Sequence, residues 1–193
     1  MKHFDWKIIG IIGIVVFSFL ILFFGYQVSV GNTATRMEEQ INESYSGIEI
    51  QQKHRNDSVK QLVQVVENFT SHEQDIVNSV TDARAKLQEG DVSGALKSLN
   101  VVVENYPEIK SDTLYSDLMK EISSCENLIA SYRDNYNQQV KEYKKYIKVF
   151  PHKQILSIQG YEPIEVDYLT FDSEELEVIE NMFGEQNEKN SSL

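Results

Sequence analysis

The sequence predicts an all-α protein in which an N-terminal transmembrane helix leads into a long antiparallel helical bundle of the four-helix type. Three observations carry this. Residues 8–24 form an apolar block of seventeen residues without a charge, where only Gly10, Gly13 and Ser18 interrupt large hydrophobes. Residues 113–150 place apolar or aromatic side chains at alternating steps of three and four. Only three prolines occur, Pro107, Pro151 and Pro163, and the stretches before Pro151 have helical periodicity.

Extended to residue 30, the first block reaches twenty-three uncharged residues. At about 1.5 Å of rise per residue it spans a hydrocarbon core of roughly 30 Å. Lys2 and Lys7 precede it, and Phe4, Trp6, Phe24 and Tyr26 mark its ends as interfacial anchors do. A cleaved signal peptide is the alternative, because Ser29, Val30 and Gly31 offer small residues at a cleavable position. Its apolar region, however, is normally only about 7–15 residues long. The basic residues near the ends favour a cytoplasmic N-terminus, with the remaining residues facing outward.

The bundle elements follow in order. Ile41, Tyr45 and Ile48 begin a helical stripe that Val59, Leu62, Val63, Val66 and Phe69 resume, in a segment running from about residue 33 to 69 or onward to 87. Ile76, Val80, Ala83 and Leu87 form a second stripe, and Gly90 and Asp91 break it. A third runs through Ala95, Leu99, Val102 and Tyr106, with Asp91 or Ser93 as its N-cap. The fourth is a heptad register without a slip: Tyr115, Leu118, Ile122, Cys125, Ile129, Tyr132, Tyr136, Gln139, Tyr143, Tyr146 and Phe150. A helix of residues 113–150 is about 57 Å long and needs an equally long partner, which only the first segment supplies. Residues 88–93 and 107–112 are loops of the length found between antiparallel neighbours.

After Pro151 no helical phase is evident, so residues 152–171 read as an irregular or partly extended strap lying on the bundle. Residues 172–183 suggest a short helix with Asp172 and Glu175 as a capping pair, and residues 185–193 read as disordered. The resulting organisation is an anchor over residues 1–31, a bundle with its strap over 32–171, and an acidic tail over 172–193.

The net charge of −12 is concentrated at the C-terminal end, where residues 162–193 hold ten acidic residues and one lysine. The nearly balanced remainder argues against nucleic acid, which requires a clustered basic surface. Lys141, Lys144, Lys145 and Lys148 cluster at helical spacing that suits a solvated outer face. Cys125, the single cysteine, has no intrachain disulfide partner and sits on the heptad seam as a small core residue. His54, His72 and His152 lack metal spacing, and the residues three before His54 and His72 are Gln51 and Phe69, so no Glu-x-x-His pair supplies a di-iron bundle. There is no phosphate loop, nucleophile elbow or CxxC pair. Gly90, Asp91, Ala95, Leu99 and Pro107 match a tetratricopeptide half-repeat, but without a second copy ordinary hairpin rules explain them.

Four blocks of residues have a joint order that resembles the LemA family over about residues 37–171. They are Arg55, Asp57, Leu62, Val63, Phe69, His72 and Glu73; Val80, Thr81, Ala83 and Arg84; Glu104, Tyr106, Pro107 and Lys110; and Glu126, Asn127, Ile129, Arg133, Tyr136, Asn137, Val140, Tyr143, Ile147, Phe150 and Pro151. Gly160 and Tyr161 resemble the family's closing Gly-aromatic element. The resemblance implies a bacterial protein with one membrane segment and a long antiparallel bundle, and it brings no established biochemical activity. Family genes often neighbour membrane metallopeptidases or TPM-domain proteins, which implies an envelope partner of that kind. Two departures stand out: Lys60 replaces a usual proline, and the chain continues beyond the Gly-aromatic element.

The expectation is a single-pass, non-enzymatic scaffold or adaptor for another membrane protein, without cofactor or metal. His72, Glu73, Arg84, Glu126, Asn127, Arg133 and Asn137 are the candidate interaction residues, or else pairs that fix helix register. A homo-oligomer presenting Tyr132, Tyr136, Tyr143 and Tyr146 to a second copy is one alternative, and an enzyme or metal-binding bundle is another.

Overall fold

The computed structural model describes residues 6–69 and 74–170. These are helical throughout apart from short connections and the final segment, and no strand occurs among them. The protein is therefore all-α, an apolar N-terminal helix followed by an antiparallel bundle. Helix α1 (Trp6–Phe69) runs without interruption from the apolar block through Lys60. It contains no proline, so no amide is missing from its ladder. The side chains of residues 10–26 are exposed, as a helix meant for a non-aqueous surround requires. By length and composition this helix can cross a membrane.

The chain divides into two compact units. One is centred on Ser44–Asn135. Its core joins Val59, Leu62, Val63 and Val66 of α1 to Ile76, Val80 and Ala83 of α2 (Gln74–Glu89). Ala95, Leu96, Leu99 and Val102 of α3 (Val92–Asn105) and Tyr115, Leu118 and Ile122 of α5 (Thr113–Tyr146) complete it. Gly90 takes a positive φ of 83°, a turn that glycine enters without steric cost. The Asp91 side chain then accepts from the Gly94 amide at 2.7 Å and caps α3. Pro107 opens the short α4 (Pro107–Lys110), where its missing N–H costs nothing. The connections are thus shorter than the loops expected over 88–93 and 107–112, since α3 begins at Val92 and α4 occupies most of the second.

The other unit comprises Met1–Glu43 and Tyr136–Tyr168. Here Val30 and Ala34 of α1 pack with Ile155 and Leu156 of α6 (His152–Ile158), and Tyr146, Ile147 and Tyr161 lean on that cluster. Gly160, at φ 69°, lets the chain leave α6 into an irregular segment.

Four sequence expectations change. The last bundle helix ends at Tyr146 rather than at residue 150, and Phe150 is 81% exposed instead of continuing the seam. Pro151 pushes the residue before it out of the helical region. Residues 152–158 are helical rather than strap; two turns that bury only the adjacent pair Ile155 and Leu156 carry too little periodicity to see. Ser44 faces inward at 4% exposure while Tyr45 is 45% exposed, so size misled where heptad phase did not. Of the four tyrosines suggested for a second copy, Tyr136 and Tyr143 are buried within the chain, while Tyr132 and Tyr146 are partly exposed. The expected helix over 172–183 and the disorder beyond it lie outside the described residues.

Candidate functional site

The strongest polar feature of the unit centred on Ser44–Asn135 is an ion pair between α1 and α5. Arg55 donates to Glu126 at 2.5 Å, with both side chains only 6% exposed. Arg55 falls two heptads after Ile41 and one after Ile48, so its Cβ points inward with theirs. One turn on, Ser58 donates to Glu121 of α5 at 3.0 Å and to the His54 carbonyl at 3.1 Å. In the other direction, Asn135 donates to Ser44 at 3.3 Å. The Tyr132 ring lies over Gly47, where an added Cβ would meet its Cε1 at 2.6 Å. The pairs 44 with 135, 47 with 132 and 55 with 126 give one antiparallel register of polar and small residues.

Cys125 neighbours this pair, and burial first, then the charges of Glu121 and Glu126, push its thiol upward. A thiol held protonated is a weak nucleophile at neutral pH. Arg55 and Glu126 engage each other across a buried interface, an arrangement suited to holding two helices in register.

The second unit has a phenol and carboxylate cluster. Tyr143 donates to Glu38 of α1 at 2.8 Å, lies 3.0 Å from the Tyr161 hydroxyl, and accepts from the Ile164 amide at 3.1 Å. Tyr161 also donates to Glu38. Burial is the main reason that both phenols are pushed above the ordinary tyrosine value, with Glu38 adding to it. Both therefore stay protonated and act as donors. Lys144, 3.6 Å from Asp167 and 4.9 Å from the Tyr168 ring centre, ties the same segment down from another side.

The predicted residues do not gather into one site. Glu126 is buried against Arg55, which was absent from the candidate list although heptad phase places it inside. Arg84 pairs with Glu67 across α2 and α1 with both side chains about half exposed. Asn127 is exposed, and Arg133 and Asn137 are half-buried. His72 and Glu73 lie outside the described residues. Glu38 and Tyr161 were likewise not candidates, since only the fold brings them together across 123 positions.

Between α2 and α3, Asp82 accepts from Ser98 at 2.6 Å and pairs with Lys86 at 2.7 Å, and these two partners hold its carboxyl below the usual range. A shallow groove of about 720 Å³ on this hairpin is lined by Asp75, Asn78, Val101, Asn105 and Tyr106 among others. Among the described residues no group of three or more His, Cys, Asp or Glu is placed to hold a metal ion.

An all-α bundle continuous with an apolar N-terminal helix, its buried polar groups engaged across helices, defines the class. The chain belongs to the LemA family, whose model matches residues 44–183. It is 29% identical over 152 residues to Protein LemA of Metamycoplasma hominis, covering 68% of this chain and 69% of that protein. Over 77 residues it is 30% identical to the magnetosome protein MamQ of Magnetospirillum gryphiswaldense and 32% identical to magnetosome protein MamQ 1 of Paramagnetospirillum magneticum. Those matches span 40% of this chain and only 28% of each MamQ protein.

Proposed function

We propose that this LemA-family protein is a single-pass, membrane-anchored, non-enzymatic scaffold or adaptor for another membrane protein of the bacterial envelope, its bundle extracytoplasmic. One observation carries the reading. Helix α1 passes from an exposed apolar stretch into the bundle without a break, so the folded part is held on the membrane by its own first helix. Two polar clusters described above support it, because their groups are engaged in fastening helices and the strap rather than aimed at a shared cleft. Partners of the metallopeptidase or TPM-domain type are the first to seek.

Crosslinking in intact cells followed by mass spectrometry tests the adaptor role. Recovery of one reproducible membrane-protein partner is expected. Crosslinks only between copies of this chain would replace the adaptor with a homo-oligomeric element. Protease added to spheroplasts tests sidedness: digestion of the bundle is expected, and its protection would reverse the orientation.

A further inference from the structure

We propose that the corner joining α5 to α6 is a second, peripheral membrane contact. In it Phe150, Val149 and Ile158 seat in the headgroup region beside the spanning helix, and Lys145, Lys148 and Lys153 face anionic lipid phosphates. This rests on the reading of residues 8–30 as membrane-spanning.

Position is the first argument. Helix α5 descends antiparallel along α1: Tyr143 reaches Glu38, and Tyr146, one turn later, donates to the Val30 carbonyl at 3.2 Å. Residues 147–151 continue in that direction. Beyond the corner, Gln159 donates to the Gln27 carbonyl at 2.7 Å, and Ile155 and Leu156 bury Val30 and Ala34. The corner is thus fastened to α1 between Gln27 and Ala34, where the apolar stretch gives way to the polar residues Asn32, Thr33 and Thr35, the level at which a headgroup layer would lie.

Exposure is the second. Phe150 is 81% and Ile158 75% exposed, with Val149 also exposed, although their chain neighbours Tyr146, Ile155 and Leu156 pack on Val30 and Ala34. An aromatic ring beside aliphatic side chains at headgroup level is the composition that partitions into a bilayer interface.

Charge is the third. The protein is acidic overall, yet residues 145–161 contain three lysines and a histidine and no acidic residue. Lys145, Lys148 and Lys153 are exposed, whereas Lys144 turns to Asp167 and Tyr168. Basic residues beside exposed apolar ones match a surface of anionic lipid, where each lysine adds attraction within a Debye length. A membrane-protein partner could lie at the same depth, but the basic and apolar mixture suits the anionic lipid surface that a spanning helix already places there.

The test uses the full chain with Trp6→Phe, so that Phe150→Trp supplies its sole indole. It is reconstituted at one copy per nanodisc, in phosphatidylcholine with or without phosphatidylglycerol, and the acyl chains carry bromine just below the headgroups. Blue-shifted emission strongly quenched by the brominated lipid is expected, with more quenching when phosphatidylglycerol is present. Lys148→Gln with Lys153→Gln should abolish that difference. Blue-shifted emission without quenching would place the ring against protein, and water-like emission would place it in solvent; either overturns the contact. Equal quenching in both lipids would remove the lysines from it. Ile158→Trp in the same background gives a second reading if Phe150→Trp lowers helicity. Failure of the parent chain to stay with the discs would overturn the spanning reading along with the contact, whereas retention without quenching overturns the contact alone.

Discussion

Arg55 and Glu126 are 71 residues apart in sequence and 2.5 Å apart in space, each the other's charged partner inside the α1–α5 interface. Burial this deep makes the two charges interdependent. Removing one takes from the other a buried charged partner, which costs more than the intact pair contributes.

Arg55→Leu or Glu126→Leu alone should therefore destabilise the protein by about 3–5 kcal/mol, while the double substitution should return close to the parent or exceed it. Thermal and urea unfolding followed by circular dichroism in detergent decide this. Additive losses in the double variant would show that the two residues act separately.

Cys125 should behave as a core residue. Burial above all, with the charges of Glu121 and Glu126 adding to it, pushes its thiol up and so keeps it in the weakly nucleophilic protonated form. A thiol reagent should modify the native protein slowly and the denatured protein quickly. Cys125→Ala should leave any cellular phenotype unchanged, and rapid native labelling would contradict this picture.

Alkaline stability should depend on three phenols. Tyr115, Tyr143 and Tyr161 all bind their protons more tightly folded than unfolded, mainly through burial. For an acid raised in this way, the contribution is complete below the unfolded value of 10.0 and is lost as pH climbs toward the folded one. Tyr115 is pushed up to about 12, so its share disappears between those two values. Melting temperature should fall across that window, and Tyr115→Phe should flatten part of the fall. A variant with an unchanged slope would remove Tyr115 from the explanation.

Gly47→Ala should be destabilising although alanine normally favours a helix interior by about 0.5–1 kcal/mol over glycine. The new methyl must displace the Tyr132 ring from 2.6 Å, an overpacking that costs roughly 1–3 kcal/mol. Adding Tyr132→Ala should recover the alanine benefit. If Gly47→Ala alone raises the melting temperature, the ring moves freely and the contact is not tight.

Truncation after Phe183 should leave the melting temperature unchanged. Truncation after Pro151 should lower it and expose a surface that binds hydrophobic dye, because Ile155, Leu156 and Tyr161 are removed from Val30, Ala34 and Glu38. Identical melting without dye binding would detach the segment from the domain.

Helix α5 was legible because its inward positions are mostly apolar: Tyr115, Leu118, Ile122, Ile129, Tyr136 and Tyr143 stand in the expected register and are buried. Helix α1 was half legible, since Ser44, Arg55 and Ser58 occupy inward positions that an apolar pattern passes over. Heptad phase continued from Ile41 and Ile48 would have found Arg55, as it fixes direction regardless of polarity. Helix α6 was hidden by its length. The Glu38, Tyr143 and Tyr161 cluster was hidden for a different reason, since its members are joined by topology and share no local pattern.

The Tyr132 ring over Gly47 bears on how the α1–α5 pair between Ser44 and Asn135 could move. Signalling by helix sliding requires two resting positions about one turn, or 5.4 Å, apart. Here a step of one turn along the axis would drive the ring off Gly47 and onto Glu43 or Gln51, which carry a Cβ. The pair works like a latched bolt: it passes an axial push along its length, and a message that requires one helix to shift past the other stops at this notch.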